Sequence, residues 1–411
     1  MRKARLKDLG TFLSGLTYSP DNICEEGEGT LVLRSSNIQD GKLSFADNVF
    51  VDCHLPASMH VKPGDILICS RNGSANLVGK TALIDSDINA TWGAFMMLFR
   101  TVNNSEYMNY LLTTSISKYK GLFSTSTINQ LTNHMLGNIF VNYVPDIERQ
   151  SEIAIAINSK VSEIDSKLSK LECLRKKLVS LKQDLIYSGI THGFESNIEL
   201  VDSGIDWVGK IPQHWQVKRL KDLGYFRSGL TYSPDNLAEN GNGVLVLRSS
   251  NIHDGKLVLD DNVYVDMNIS SSMYVRPGDI LICSRNGSAN LVGKSALIEE
   301  KLNATWGAFM MLFRSHNHPQ YIHYLLMASI SKNKGLFATS TINQLTNHML
   351  GNIYVCYTPD LKEQIEIANT INKKCVKLES AIHNIIEQIR QYRMLKDAYI
   401  KKLIMDSSIC D

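Results

Sequence analysis

Three clusters of side chains have the types and spacing to do chemistry or to hold a charged ligand, and one of them imitates a phosphate cradle. Gly73-Ser74-Ala75-Asn76-Leu77-Val78-Gly79-Lys80-Thr81 follows an apolar run, ends in Gly-Lys-hydroxyl, and returns as Gly287 to Ser295. It resembles a Walker-type loop, which keeps four residues between its glycines so that successive N–H groups close around the β-phosphate. Five stand there in both copies, and no strand ends in a magnesium-binding aspartate at a suitable distance. Nucleotide hydrolysis is therefore not expected. Arg71, Asn72, Asn76 and Lys80, with Arg285, Asn286, Asn290 and Lys294 in the second copy, suit gripping a DNA phosphate or base edge instead. A plain surface turn between two strands accounts for the same residues.

The second cluster, Ser124 to His134, crowds short hydroxyls and amides together almost without charge, and Ala338 to His348 departs from it only at the first residue. Asn and Gln amides read adenine through paired hydrogen bonds, and hydroxyls bond phosphates or bases, which makes Ser126, Thr127, Asn129, Gln130, Ser340, Thr341, Asn343 and Gln344 candidate contacts. A helix N-cap at Ser126 or Thr127 ahead of a short helix explains the same types, and both readings can hold together. The third cluster, Ser14 to Asn22, repeats at Ser228 to Asn236 and offers Thr17, Tyr18, Thr231 and Tyr232. Arg34, Ser35 and Asn37, with Arg248, Ser249 and Asn251, complete the candidate DNA-binding set from a repeated Arg-Ser-Ser-Asn-Ile. Trp92 and Trp306 sit in apolar runs and are expected in the core. The eleven histidines form no metal pair. There is no Asp/Asn-Pro-Pro-aromatic signature for amino methylation, no glycine-rich cofactor fingerprint and no PD…ExK nuclease pattern. Catalytic residues, metal and cofactor are all expected to be none.

What must position these clusters is a duplicated scaffold. Each cluster recurs at a shift of 214 residues, Arg34 becoming Arg248 and Thr91-Trp92-Gly93-Ala94-Phe95 becoming Thr305 to Phe309, without insertion or deletion. Roughly 100 of about 140 aligned globular positions match, against about a quarter in the helical stretch that follows. Strands are expected at Leu31–Leu33, Ile66–Cys69, Gly93–Phe99 and Ile139–Tyr143, and an amphipathic helix at Ser105–Lys120, giving a mixed α/β, or α+β, class. Lys62-Pro63-Gly64-Asp65 is turn chemistry, in which Pro fixes φ and Gly accepts a positive one. The expected domains are a first globule over 1–145, a first spacer helix over 146–190, a linker and second globule over 191–359, and a second spacer helix over 360–411.

Apolar residues at Ile157, Val161, Ile164, Leu168 and Leu171 step by four and three, a heptad seam that stammers at Leu174 before Leu178, Leu181 and Leu185 resume it. The second seam runs Ile371, Cys375, Leu378, Ile382, Ile385, Ile389, Tyr392, Tyr399 and Leu403, broken once by Lys396. The order globule, helix, globule, helix favours an antiparallel intramolecular pair, a spacer on the order of 60 Å long. A helix packed only on its own globule is the alternative.

Formal net charge is +2, so composition alone does not announce a polyanion partner. No apolar run is long enough to cross a bilayer and no signal peptide opens the chain, which makes the cytoplasm the expected address. The eight scattered cysteines lack ligand spacing and read as buried thiols.

Asp202-Ser203-Gly204-Ile205-Asp206-Trp207-Val208-Gly209-Lys210-Ile211-Pro212-Gln213-His214-Trp215, with Val217-Lys218-Arg219-Leu220, closely resembles the lead-in of target recognition domains in specificity subunits of type I restriction-modification enzymes. Val61 to Leu67 with Val275 to Leu281, and Thr358 to Ala368, are similar to further parts of that family's pattern, so the resemblance spans essentially the whole chain. It implies a non-catalytic subunit that recognises a bipartite site in double-stranded DNA, one half per globule. DNA methyltransferase (modification) subunits and a motor/nuclease (restriction) subunit would supply the chemistry. Two departures stand out: Arg149 where the second copy has Glu363, and no lead-in before the first globule, since Met1 aligns with Trp215. The C-terminal end beyond Ile404, or a partner, is expected to cover that surface. Family members usually carry two different recognition domains, whereas these loops are nearly identical. Two nearly identical half-sites in inverted orientation are therefore expected, an interrupted palindrome whose gap is set by helix length.

Overall fold

A computed structural model describes residues 1–119, 130–195, 197–239, 242–288, 290–336 and 344–405. The chain divides into two compact units, Met1–Glu172 with Glu387–Asp411, and Cys173–Ile386. The class is mixed α+β.

In the first unit, Gly10–Ser14, Met96–Thr101, Ile66–Cys69 and Thr81–Leu83 form an antiparallel sheet in that order. A second sheet runs Ala90–Trp92, Thr30–Leu33, Phe50–Val51 and Ile23–Cys24, its first pair parallel. The continuous apolar run of Ile66–Cys69 follows from burial on both faces. Ile66, Ile68, Met97 and Phe99 pack towards the helix Ser105–Tyr119, while Leu67, Cys69, Met96 and Leu98 meet Leu31, Leu33 and Trp92 of the other sheet. Trp92 is fully buried and its Nε1–H donates to the Leu13 carbonyl at 3.3 Å, as expected of a core residue. The strand expected over Gly93–Phe99 begins only at Met96. Gly93-Ala94-Phe95 is a turn closed by the Met96 N–H on the Gly93 carbonyl at 2.8 Å. The second unit repeats both sheets and adds a hairpin of Leu200–Asp202 with Lys210–Pro212.

The Lys-Pro-Gly-Asp turn is built as the sequence suggests, with Gly64 at φ +93. Asp65 is nearly fully buried, accepts from the Lys62 N–H at 2.8 Å, and pairs with Arg100 through Nε at 2.8 Å and Nη2 at 2.6 Å. Asp279 and Arg314 repeat the pair, and the hydrogen bond to Asp279 holds the Arg314 guanidinium above its usual pKa.

The long helices span Ile147–His192 and Leu361–Met405. Within the first unit they run antiparallel: Lys396 Nζ meets Asp165 Oδ1 at 2.7 Å and Arg393 meets Glu172 at 3.5 Å. Ile153, Ala154 and Ile157 join Leu403 and Ile404 in the globule's own core, so each helix end also packs on its globule. In the second unit Ile186 and Ile190 lie with Ile367, Ile371 and Cys375, and Lys182 pairs with Glu379 at 2.5 Å. The stammer is corrected by these contacts. Leu174 and Leu181 are about half exposed, while Arg175 and Lys182 take the seam positions between Leu171, Leu178 and Leu185, so the heptad step never fails. Lys182 and Lys396 occupy the same repeat position. Each is a seam lysine satisfied by a carboxylate of the facing helix segment, which is why neither breaks the pairing.

Four of the seven described cysteines are buried, but Cys173 is exposed and Cys24 and Cys53 are half-buried, so the expectation of buried thiols holds only in part. The suggested covering segment past Ile404 falls, after Met405, outside the described residues. Among the described residues no helix is long and apolar enough to cross a membrane.

Candidate nucleic-acid interface

Backbone hydrogen bonds gather the loops at one end of each pair of sheets. The Leu16 N–H donates to the Trp92 carbonyl at 2.7 Å, drawing the Ser14–Tyr18 loop against the Gly93 turn. That approach requires glycine: a Cβ on Gly15 would stand 2.0 Å from the Gly93 carbonyl oxygen, and one on Gly229 would stand 2.0 Å from that of Gly307. The N–H groups of Ser70 and Arg71 both donate to the Phe95 carbonyl, at 3.0 and 3.1 Å, and the Leu131 N–H donates to the Ser70 carbonyl at 2.7 Å. Asn72 ties in the Arg34–Asn37 loop by donating from Nδ2 to Ser35 Oγ at 3.0 Å, while its Oδ1 accepts from the Ser74 N–H. In the second unit Leu230, Ser284, Arg285, Leu345 and Asn286 make the same bonds to Trp306, Phe309, Ser284 and Ser249.

The described parts of all four candidate segments thus meet on one rim. Arg71 and Gln130 are exposed and bridged to each other, as are Arg285 and Gln344. Asn76, Lys80, Asn290 and Lys294 are exposed along the glycine loop. Thr17 and Thr231 are exposed, while Tyr18 and Tyr232 are half-buried, Tyr232 against the Val246, Val265 and Ile269 cluster. Arg34 is committed in part to Asp47 at 2.9 Å and Arg248 to Asp261 at 2.8 Å. Ser126, Thr127, Asn129, Ser340, Thr341 and Asn343 lie outside the described residues.

One expectation changes. Asn37 and Asn251 are fully buried; the Asn37 amide donates to the Ser44 and Asp47 carbonyls and accepts from the Arg34 N–H, so these residues hold the loop and face no ligand. The short helix after the amide-rich stretch is Asn133–Gly137, capped by Thr132, whose Oγ1 accepts from the Met135 N–H at 3.1 Å. The expected cap at Ser126 or Thr127 lies outside the described residues. The phosphate-cradle reading fails structurally as well as by spacing. The loop runs on into the strand Thr81–Leu83 where a cradle requires a helix N-terminus, and Thr81 is buried against Thr113 at 2.7 Å.

Sequence reasoning passed over Phe95 and Phe309. Each ring is 60% exposed, with the guanidinium carbon of Arg71 5.3 Å from one centroid and that of Arg285 5.5 Å from the other. Their place in an apolar run hid them.

Fold and rim together define a duplicated recognition protein, one that displays the same polar and cationic loop set twice on rigid sheets. A family model for the type I restriction modification DNA specificity domain matches residues 212–389. The chain is 24% identical over 414 residues to the type I restriction enzyme EcoKI specificity subunit of Escherichia coli K12, covering 94% of this chain and 86% of that one. It is 24% identical over 394 residues to the StySPI specificity subunit of Salmonella potsdam, covering 90% and 81%. A chain solved in a study of complex assembly and conformational transition of the type I R-M system has the same fold, with TM-score 0.70 at 16% identity over 98% of this chain and 97% of that one. Residues 212–389 thus match a type I restriction modification DNA specificity domain, and the chain as a whole is similar to specificity subunits of type I restriction enzymes.

The departure at Arg149 now has a reason. In the second unit Glu363 is held by the lead-in: Trp215 Nε1–H donates to its Oε1 at 2.8 Å, His214 meets its Oε2 at 3.0 Å, and the Thr358 hydroxyl also donates to it. In the first unit Arg149 instead pairs with Glu152 at 2.7 Å.

Proposed function

We propose that the chain reads a bipartite sequence in double-stranded DNA, one half-site per unit, on behalf of DNA methyltransferase (modification) subunits and a motor/nuclease (restriction) subunit. The observation that carries this reading is the rim itself, in which Arg71, Asn72, Ser35 and Gln130 and their counterparts at 285, 286, 249 and 344 are held by the same bonds in both units. Arginine forks and amides are the side chains that read guanine and adenine edges, and exposed lysines such as Lys80 and Lys294 neutralise phosphates. Because the two rims carry the same residues, the half-sites are nearly identical and inverted, an interrupted palindrome. The continuity of the two long helices supports their role as the ruler of the gap.

The test is selection of bound sequences from a random duplex pool by the full chain assembled with its methyltransferase partner. An enriched interrupted palindrome with a fixed gap is expected. Absence of enrichment, with binding that ignores salt, would replace DNA reading by a scaffold role, since phosphate contacts weaken steeply as salt rises. Inserting one heptad in each helix should lengthen the gap and leave the half-sites unchanged.

A further inference from the structure

We infer that Phe95 and Phe309 each read the C5-methyl group of a thymine, beside a guanine read by Arg71 or Arg285; this rests on the DNA-reading function proposed above. An isolated exposed phenylalanine needs no explanation. This pair differs from the other exposed apolar residues of the globules, because the repeat preserves it. Ile23 becomes Leu237, Phe45 becomes Leu259, Phe140 becomes Tyr354 and Val102 becomes His316, whereas position 95 remains Phe at 309 with the same 60% exposure. Among the described globular residues no other exposed large apolar side chain keeps its identity in both copies.

The ring is also held in place. The Phe95 carbonyl accepts two N–H groups from Ser70 and Arg71, and Gly93 closes the turn behind it. Arg71 lies over the ring with its guanidinium carbon 5.3 Å from the centroid, so an apolar surface and a planar fork of donors are presented side by side. In the major groove guanine offers two acceptors that fit such a fork, and thymine offers the one methyl group, which apolar side chains contact. The cation covering one face argues against insertion of the ring between base pairs, which would require both faces. It leaves the other face and the edge for a methyl group.

The experiment uses the selected duplex and the full chain with its methyltransferase partner. Each thymine is replaced in turn by deoxyuridine, which removes only the methyl group. One position per half-site should weaken binding by roughly four-fold, and changing both half-sites by about fifteen-fold, the effect of one buried methyl-sized group at each. With Phe95→Ala and Phe309→Ala together, the same replacements should change binding by less than about 1.5-fold, because the surface that sensed the methyl is gone. A half-site without thymine would overturn the inference, as would deoxyuridine replacements that the wild-type complex ignores or a penalty that persists in the Phe95→Ala/Phe309→Ala complex. Each of those results leaves selective binding intact and so differs from failure of DNA reading, in which the wild-type complex selects no sequence at all.

Discussion

Lowering the pH from about 7.5 to about 5 should destabilise the second unit chiefly through one fully buried side chain, with a further contribution from His318, whose pKa burial also lowers. His323 is 3% exposed; its Nε2 lies 3.1 Å from Ser295 Oγ and its Nδ1 has no hydrogen-bond partner. Burial pulls its pKa down to about 4, against the small opposing effect of the Ser295 bond. The charged groups around the adjoining cavity, Lys182, Lys256, Asp254, Glu299, Glu300 and Glu379, are of mixed sign. An unfolded histidine titrates near 6.5, so between about pH 6.5 and 4 the unfolded chain binds the extra proton and the folded chain does not. The contribution of the neutral ring is therefore complete above about pH 6.5 and is lost progressively as the pH falls. At about pH 5 the gap of ~1.5 pH units corresponds to ~2 kcal/mol. The repeat supplies the control, since Asn109 occupies the equivalent position in the first unit and does not titrate. His323→Asn should thus remove most of the acid sensitivity. Urea unfolding followed by tryptophan fluorescence suits the measurement, because Trp207, Trp215 and Trp306 all report on the second unit. Equal acid destabilisation in wild type and His323→Asn would refute the reasoning, and so would a wild type whose second unit is as stable at about pH 5 as at 7.5.

Truncating Asp65 or Asp279 to alanine leaves Arg100 or Arg314 facing the core unpaired, and should destabilise its unit by roughly 3–5 kcal/mol in thermal or denaturant melts. Glu363→Gln gives up the charge that meets His214 and Trp215 and should loosen the lead-in hairpin, seen as faster proteolysis between 193 and 199 while the first unit is unaffected. Replacing Lys80 and Lys294 with alanine should reduce the slope of log affinity against log salt by roughly one per lysine without changing the selected sequence. The isolated chain should show no nucleotide hydrolysis for these substitutions to abolish, measured as phosphate release.

Several features were legible in the sequence because local chemistry decides them. The Lys62-Pro63-Gly64-Asp65 turn needs a positive φ at Gly64 and a carboxylate to accept the Lys62 N–H, and both are local. The helix Ser105–Tyr119 and the strand Ile66–Cys69 follow from periodicity. What failed depended on where the rest of the chain lies. Phe95 reads as strand because apolar runs do not record where a strand gives way to a turn. Asn37 reads as a base-reading amide because its type is the same whether it meets adenine or the Ser44 and Asp47 carbonyls. Leu174 and Leu181 draw the eye from the seam because leucine is apolar wherever it points, whereas the true seam position, Lys182, is visible only beside its carboxylate on the facing segment. The Glu363 to Arg149 exchange became interpretable once Trp215 and His214 were seen to hold the glutamate.

The two units differ in how they are assembled from the chain, and synthesis must respect that difference. The second unit is one continuous stretch, Cys173–Ile386, but the first is assembled from Met1–Glu172 and the late segment that begins at Glu387. A ribosome releases the N-terminal residues first, and domains fold as their residues emerge. The globule made first is therefore completed last: Ile153 and Ile157 wait for Leu403 and Ile404, while the second unit already has every residue it needs. A prematurely terminated nascent chain that ended just after Ile386 would carry a complete second unit and a first unit without Leu403 and Ile404. Quality control would meet a half-finished protein, with the apolar surface of Ile153 and Ile157 exposed at the unfinished end.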